Sequence, residues 1–223
     1  METHILQNET AWLQAMVERW KEVGGAALAE RGSFKVSLSG GTTPDVLYKK
    51  LASIDWPWSS TVFFIGDERW VPLDHSDSNY RMIYESFYPH RIRLERWKTE
   101  MDKPLNTALD YEKRIRQELS APPRFDLVLL GIGDDGHTAS LFPNTDALNE
   151  EKKLTVENRV PQLGTFRLTM TYPLLREARE IWFIAKGIKK RPWIDKMAEG
   201  KDLSFPAAKV EASRGKVHLF YYP

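Results

Sequence analysis

The chain has 223 residues, of which 42% are hydrophobic and 28% are charged, and its formal net charge is +1. This balance gives no electrostatic reason to expect nucleic acid or an anionic membrane as a partner, although it is compatible with a local cationic pocket for a small anion. The chain contains no cysteine, which excludes disulfide bonds, a thiolate nucleophile and a cysteine-based zinc site.

The length and the N-terminal region predict a single soluble domain. Residues 1–9 are polar and lack the basic-then-apolar pattern of a signal peptide, and no apolar run approaches the length of a membrane span. We find no internal repeat, low-complexity segment or interdomain linker. We therefore expect one domain over residues 1–223, located in the cytoplasm.

Hydrophobic periodicity predicts helices and strands that alternate along most of the chain. Asn8 or Thr10 can cap the first helix, and Thr43 can cap the second. In chain order we predict a helix at residues 10–30, a strand at 33–39, a helix at 46–51, a strand at 62–65, helices at 79–88 and 106–119, strands at 127–130, 154–157 and 166–171, a helix at 173–180, a strand at 181–185, a helix at 187–197 and a strand at 217–222. The alternation predicts an α/β fold, a mainly parallel, Rossmann-like sheet covered by helices on both faces.

In residues 125–143 an apolar run leads directly into a turn that is rich in potentially reactive side chains, more so than anywhere else in the chain. They read F-D-L-V-L-L-G-I-G-D-D-G-H-T-A-S-L-F-P. We interpret this segment as a buried strand that delivers a polar turn to the carboxyl edge of the sheet, where open α/β folds bind their ligands.

The glycines at residues 131–136 match the dinucleotide pattern G-x-G-x-x-G, which alone is a weak indication. Asp134 and Asp135 occupy the turn and would repel a pyrophosphate. The glycines are therefore better explained by a tight turn than by a nucleotide site.

His137 is the strongest catalytic candidate in this turn. Histidine can be neutral and basic near pH 7, and a carboxylate can orient its ring and stabilise the protonated form. Asp135 could do this if the turn folds back. The alternative is a histidine whose hydrogen bonds are purely structural.

A phosphate site is predicted where the first strand runs into a helix. The segment Ser39-Gly40-Gly41-Thr42-Thr43 offers backbone N–H groups and hydroxyls to an anion there. The loop lacks the Gly-Lys-Ser/Thr ending of a nucleotide P-loop, so ATP or GTP is not expected. An ordinary strand-to-helix turn is the alternative for this segment.

Several cationic side chains could complete an anion clamp. Arg69 and Arg81 could bind an anion bidentately, although arginines near turns are usually solvated. A basic cluster follows the strand at residues 181–185, and one of its members could reach a phosphate. The cluster consists of Lys186, Lys189, Lys190 and Arg191.

The sequence provides no support for a metal centre or a serine nucleophile. Asp67, Glu68, Asp134 and Asp135 could be combined with histidines on paper, but no pair has the ligand spacing of H-E-x-x-H. Ser39 and Ser140 lack the G-x-S-x-G nucleophile elbow.

Taken together, these segments resemble the 6-phosphogluconolactonase family. The resemblance spans most of the chain, in the order found in the family, and its G-x-G-x-D-G-H-T-A-S-L-F-P segment is highly specific. The matching segments are S-L-S-G-G-T-T-P at residues 37–44, F-I-G-D-E-R-W-V-P at 64–72, S-N-Y-R at 78–81, residues 126–143, and R-L-T-M-T-Y-P at 167–173.

The resemblance implies a sheet fold related to sugar-phosphate isomerases and hydrolysis of 6-phospho-D-glucono-1,5-lactone to 6-phosphogluconate in the oxidative pentose phosphate pathway. It implies no metal and no organic cofactor. By residue, it implies His137 as general base, Asp135 as its carboxylate, Gly40, Gly41 and Thr42 as the phosphate loop, Arg69 and Lys190 as phosphate ligands, and Asp67 and Arg81 as pocket residues. Lys186 and Lys189 are neighbouring alternatives to Lys190.

Two other functions are open at this point. The related glucosamine-6-phosphate deaminases carry a glutamate shortly after the histidine, where this chain has Phe142, which cannot relay a proton. A non-catalytic sugar-phosphate-binding module would keep the glycine loop and the cations but would have no use for the Asp135–His137 pair. The substantial core makes a monomer the expected state.

Overall fold

A seven-stranded parallel sheet forms the centre of the fold. In the computed structural model, residues 1–119, 121–200 and 204–223 are described. In chain order the helices and strands are β1 (Glu2–Ile5), α1 (Glu9–Arg31), β2 (Phe34–Leu38), α2 (Thr42–Ala52), β3 (Thr61–Ile65), β4 (Asp67–Arg69), α3 (Asn79–Phe87), β5 (Arg93–Glu95), α4 (Pro104–Glu118), β6 (Leu127–Leu130), β7 (Thr155–Val160), β8 (Thr165–Met170), α5 (Tyr172–Leu175), β9 (Glu180–Lys186), α6 (Arg191–Glu199) and β10 (Lys216–Tyr222).

The large sheet has the strand order β1-β10-β9-β6-β2-β3-β5, and each neighbouring pair is parallel. The predicted α/β class with a mainly parallel, helix-covered sheet is therefore confirmed. All the carboxyl ends of these strands lie along one edge. The segments that follow β2, β3, β6 and β9 consequently meet there, although they are far apart in the sequence.

A second, smaller sheet joins three antiparallel strands in the order β4-β8-β7. Its register places Arg69 of β4 opposite Arg167 of β8. The backbone N–H of Met170, at the end of β8, donates to the carbonyl of Gly66, the residue between β3 and β4. This contact ties the small sheet to the edge of the large one.

The core lies on both faces of the large sheet. Every residue of β3 and of β6 is buried, as expected for the centre of a helix-covered parallel sheet. Trp12, Met16 and Trp20 form the buried stripe of α1, and Trp20 packs edge-on against Phe34. Burying each such side chain contributes about 1.5–3 kcal/mol relative to leaving it exposed.

Both ends of α1 are explained by the residues that stand there. The side chain of Asn8 accepts a hydrogen bond from the Ala11 N–H at 3.0 Å, and Gly32 ends the helix in the left-handed conformation. The predicted cap at Thr43 is wrong, because α2 begins at Thr42 with Gly41 as its N-cap. Pro192 does not interrupt a helix, since it stands in the first turn of α6, after a short 3-10 turn at Ile188–Lys190.

Three short strands were not predicted, namely β1, β4 and β5. The helix predicted at residues 173–180 is confined to α5, because the chain then turns and the Arg179 N–H donates to the Phe125 carbonyl. The strand predicted at residues 154–157 is the first part of β7. Within the described residues, no helix is long and apolar enough to cross a membrane.

Candidate active site

A cavity of about 280 Å³ lies at the carboxyl edge of the large sheet. It is lined by the turn after β2, by β4 and the start of α3, by the turn after β6, and by the end of β9 with the residues that follow it. The lining residues are Ser39, Gly40, Gly41, Thr42, Thr43, Pro44, Asp67, Arg69, Asn79, Gly131, Ile132, Gly133, His137, Thr138, Ala139, Ile184, Ala185, Lys186 and Lys190.

His137 and Asp135 form a hydrogen-bonded pair at this cavity. The Asp135 Oδ1 atom lies 2.6 Å from His137 Nδ1 and also accepts the His137 backbone N–H at 3.1 Å. Partial burial raises the pKa of Asp135, but these two hydrogen bonds outweigh it and hold the pKa below its ordinary value. An ionised carboxylate can only accept, so Nδ1 carries a proton, and in the neutral form of the imidazole the lone pair is on Nε2.

The turn after β6 allows the imidazole to fold back over its own backbone. The Gly133 N–H donates to the His137 carbonyl at 2.8 Å, and a Cβ atom on Gly133 would lie 2.1 Å from His137 Nδ1. A side chain is therefore excluded at Gly133. On its other side the imidazole stacks on Phe142, with ring centroids 4.1 Å apart.

The start of α2 presents uncapped backbone to the cavity. Its N-cap, Gly41, makes no side-chain cap hydrogen bond within the described residues. The N–H groups of a first helical turn have no intrahelical partner and carry partial positive charge, so they favour an anion. Gly40 is packed against Asn79 so closely that a Cβ atom there would lie 1.9 Å from Asn79 Oδ1.

Ser39, one of the residues whose hydroxyl the sequence offers to an anion, stands at the start of this loop and lines the cavity. It is buried, and its Oγ atom has no hydrogen-bond partner within the described residues. An unpaired buried hydroxyl costs free energy, so a ligand acceptor or donor would be favoured beside it.

Two of the predicted cations line the cavity from opposite walls. Arg69 comes from β4 and donates to the Asp77 carbonyl. Lys190 pairs with the exposed Asp134, and this contact lowers the pKa of Asp134. Among the neighbouring lysines, Lys186 also lines the cavity, whereas the exposed Lys189 is not among the lining residues.

Arg167 adds positive charge behind Arg69. Burial of its guanidinium and the neighbouring charge of Arg69 both lower the pKa of Arg167. The carboxylates of Asp67, Asp77 and Glu68 act in the opposite direction and offset part of this effect. The sequence signal was weak, because only the pairing of β4 with β8 brings these arginines together.

Asp67 lines the cavity but is held by its neighbours. Its Oδ2 atom accepts a hydrogen bond from Ser140 Oγ at 2.7 Å, and its backbone carbonyl accepts from Asn79 Nδ2 at 2.7 Å. Asn158 of β7 in turn donates to the Ser140 carbonyl at 2.9 Å. Asp67 thus links the small sheet to the turn that carries His137.

The structure does not bring Arg81 to the cavity with the other predicted site residues. The Arg81 side chain is exposed on α3, where it donates to Glu85 Oε1 at 2.8 Å and to the Asp74 carbonyl at 2.9 Å. It borders a separate groove with Asp45, Lys49 and Glu85. Its selection as a pocket residue therefore has no support in the geometry.

The buried side chain of Glu68 holds the backbone of two segments that line the cavity. Its buried carboxylate accepts the backbone N–H groups of Arg69, Asn79 and Tyr80, each at 2.8 Å. Burial raises the pKa of Glu68 despite these bonds. The same carboxylate therefore fixes both the start of α3 and the backbone of Arg69.

Comparisons with known proteins identify the family of the chain. A family model described as glucosamine-6-phosphate isomerases/6-phosphogluconolactonase matches residues 7–219. A 6-phosphogluconolactonase of Synechocystis sp. is 41% identical over 174 residues, covering 74% of this chain and 71% of that protein. A probable 6-phosphogluconolactonase of Drosophila melanogaster is 36% identical over 218 residues, covering 95% of this chain and 88% of that protein.

A solved structure gives the same result for the fold. The crystal structure of 6-phosphogluconolactonase from Thermotoga maritima superposes with a TM-score of 0.87 and 28% sequence identity. The match covers 100% of this chain and 99% of that chain. The resemblance identified from the sequence motifs is confirmed.

Proposed function

The chain belongs to the glucosamine-6-phosphate isomerase/6-phosphogluconolactonase family, and from this premise we propose that it hydrolyses 6-phospho-D-glucono-1,5-lactone to 6-phosphogluconate. Several relatives that are more than 30% identical over most of the chain carry the name 6-phosphogluconolactonase. The reaction is the opening of a cyclic ester by water, so it requires a general base and a means of holding the sugar phosphate.

The observation that carries the proposal is the position of the Asp135–His137 pair in the same cavity as the start of α2. The pair supplies a base with a free Nε2 atom. The helix start, Arg69 and Lys190 supply positive charge in the same cavity. A phosphorylated lactone presents matching groups, a reactive carbonyl at one end and a phosphate at the other.

In the proposed reaction, a water molecule attacks the lactone carbonyl carbon while His137 Nε2 takes one of its protons. Asp135 keeps the ring oriented and stabilises the imidazolium. When the tetrahedral intermediate collapses, the bond from the carbonyl carbon to the ring oxygen breaks, and His137 returns the proton to that oxygen. The products are a carboxyl group and a free hydroxyl. Positioned general-base catalysis is worth about 10²–10⁴-fold.

The residues that would bind the phosphate, which we call the phosphate clamp, contribute by orienting the substrate. Binding at Gly40, Gly41, Thr42 and Arg69 uses contacts remote from the reacting bond to hold the carbonyl beside His137. Lys190 is paired with Asp134, so it would exchange this exposed carboxylate for the phosphate. The loss of an exposed ion pair costs little, about 0–1 kcal/mol.

The cavity favours lactone hydrolysis over ring-opening deamination. The deaminase reaction needs an additional acid/base group close to the histidine. Phe142 occupies the face of the His137 ring, and a phenyl group cannot transfer a proton. This contact is the specific argument against the nearest alternative in the family.

We also propose that the chain acts as a monomer in the cytoplasm on this small-molecule substrate. The substantial hydrophobic core buried within the chain supports the monomer. A doubly charged sugar phosphate cannot cross a bilayer unaided, so the enzyme and its substrate must share a compartment. Light scattering after size-exclusion chromatography at assay concentration would reveal a larger assembly.

The deciding experiment is lactone opening in a pH-stat with EDTA present, measured against the spontaneous rate. We expect strong acceleration that is insensitive to EDTA. A rate equal to the spontaneous one, together with measurable binding of the sugar phosphate, would identify a non-catalytic binding module instead. Ammonia release from glucosamine 6-phosphate would identify a deaminase.

A further inference from the structure

A second group of chemically active side chains lies at the amino-terminal edge of the large sheet, opposite the cavity. Glu2 and His4 stand two residues apart on β1, and His218 of β10 is the register partner of Glu2. Side chains two residues apart in a strand point to the same face, as do those of register partners. The topology thus gathers one carboxylate and two imidazoles on one face.

The distances among these groups are close to those of ligands that share one ion. His4 Nε2 and His218 Nδ1 lie 3.1 Å apart and share a hydrogen bond, and the Glu2 carboxylate lies 3.5 Å from His4 Nε2 and 3.4 Å from His218 Nδ1. Donor atoms bound tetrahedrally at about 2.0–2.2 Å from one ion are about 3.3–3.6 Å apart, so the two carboxylate distances match, and the two ring nitrogens would separate slightly as an ion replaces the hydrogen bond between them. We propose that Glu2, His4 and His218 bind one divalent transition-metal ion, with Zn²⁺ as the best fit.

A partner for the bound imidazole is already in place. His218 is only 3% exposed, and its Nε2 atom has no hydrogen-bond partner within the described residues. That atom faces Glu180 Oε1 at 3.5 Å. Histidine ligands usually donate their second ring N–H to a carboxylate, which fixes the tautomer in which the other nitrogen binds the metal. Glu180 stands where such a carboxylate is needed.

Glu180 is itself held rigidly. It accepts two hydrogen bonds from Arg19, at 2.8 and 2.6 Å, and one from Trp182 Nε1 at 2.6 Å. His4 is positioned by stacking on Phe220, with ring centroids 4.5 Å apart. The two imidazoles are therefore oriented by packing before any ion arrives.

The donor set indicates which ion would bind. Two imidazoles and one carboxylate suit Zn²⁺, whereas Ca²⁺ and Mg²⁺ prefer oxygen ligands alone. The Glu2 side chain is 65% exposed, so solvent can reach the site and a water molecule can complete the coordination. A bound ion would fasten the edge strand β1 to β10. This proposal does not depend on the proposed lactonase function.

The test is titration of the metal-free protein with Zn²⁺ by calorimetry and with Co²⁺ by visible absorption, which reports tetrahedral ligation. The titrations are repeated in a His137→Ala background, because His137 and Asp135 also offer metal ligands. We expect one ion per chain in both backgrounds, and a thermal midpoint that rises with Zn²⁺ concentration.

Glu2→Gln and His4→Phe are the informative variants. The first changes an exposed side chain, and the second keeps the stacking on Phe220 while removing the ligand. We expect each to weaken binding about 100-fold or more, since even the partners of metal ligands contribute about 10–100-fold. His75→Ala removes an exposed histidine elsewhere and should leave binding unchanged. The absence of binding in the His137→Ala background, or equal binding by His4→Phe, would overturn the proposal.

Discussion

The phenyl ring of Phe142 stacks on the imidazole of His137, with ring centroids 4.1 Å apart and an angle of 29° between the planes. The contact covers one face of the proposed base with apolar surface. It leaves Asp135 as the only carboxylate hydrogen-bonded to the imidazole within the described residues. Asp135 is therefore the carboxylate that orients the imidazole.

Replacing Phe142 tests this arrangement. Phe142→Glu would put a second carboxylate against the ring and favour the imidazolium, which cannot act as a base. We expect kcat at neutral pH to fall about tenfold or more and the acid limb of the rate profile to move to higher pH. Phe142→Leu, which keeps an apolar contact, should retain most of the activity. Equal pH profiles for the two variants would argue against the role assigned to the stack.

His137→Ala tests the base itself. We expect kcat to fall about 10²–10⁴-fold, because general-base catalysis is lost while the phosphate clamp is intact. Substrate affinity should change much less than kcat. His75→Ala is the matched control, an exposed histidine that does not line the cavity. Near-normal turnover by a folded His137→Ala protein would exclude His137 as the base.

Asp135→Asn tests the tautomer. The amide can donate to Nδ1, so the proton would move to Nε2 and the base would lose its lone pair. We expect kcat to fall about 10²–10⁴-fold, with circular dichroism unchanged. In the unmodified protein the lowered pKa of Asp135 keeps it ionised at assay pH, so the acid limb of the kcat/KM profile should report a single proton, on His137.

The lowered pKa of Asp135 also makes the unfolding free energy depend on pH. The folded protein binds the Asp135 proton more weakly than the unfolded chain, whose aspartate pKa is about 3.9. Its stabilising contribution is therefore present above about pH 3.9 and is lost as the pH falls through the lower folded value. The difference in unfolding free energy between the unmodified protein and Asp135→Asn should shrink on acidification through this range. A difference that grows on acidification would contradict the assignment.

Arg69→Ala tests the phosphate clamp, and Arg81→Ala is its control. Losing one charged hydrogen bond costs about 1.5–3 kcal/mol, which corresponds to a KM increase of roughly 10- to 100-fold for Arg69→Ala. Arg81 is exposed and paired with Glu85 outside the cavity, so its removal should leave KM unchanged. An equal rise in KM for both variants would show that general surface charge, rather than the clamp, attracts the substrate.

Gly40→Ala tests the packing of the phosphate loop, with Gly25→Ala as its counterpart. The new Cβ at Gly40 would collide with Asn79, and we expect a loss of about 1–3 kcal/mol in unfolding free energy together with weaker substrate binding. Gly25 lies within α1 with no atom near its Cβ position, so alanine should stabilise the protein by about 0.5–1 kcal/mol. Chemical denaturation measures both changes.

The sequence was most informative where local patterns determine the structure. The buried strand β6 and its polar turn were predicted because the aliphatic run and the glycines are contiguous. Asp135 and His137 are only two residues apart, so a tight turn was enough to predict their pairing. The loop before α2 was predicted for the same reason, although its cap was placed two residues too late.

The remaining features depend on contacts between distant segments. β1, β4 and β5 are three or four residues long and largely polar, and they become strands only by pairing with neighbours. Arg69 reaches the cavity because β4 belongs to a second sheet. Arg81 turns away from it because Glu85, one helical turn later, holds its side chain. Neither outcome follows from periodicity.

Glu68 has a consequence for how a substrate can lie in the cavity. The cavity is lined by the starts of two helices, α2 and α3, and each start would attract a negative group. The start of α3 already contains the carboxylate of Glu68, which satisfies the N–H groups of Asn79 and Tyr80. The first turn of α2 carries Asp45, but Lys49 and Ser86 bind that carboxylate, and the N-cap Gly41 makes no side-chain hydrogen bond within the described residues. An internal carboxylate thus already occupies the start of α3. This leaves the start of α2 as the helix end at which we propose that the phosphate binds, with the reactive ring directed towards His137.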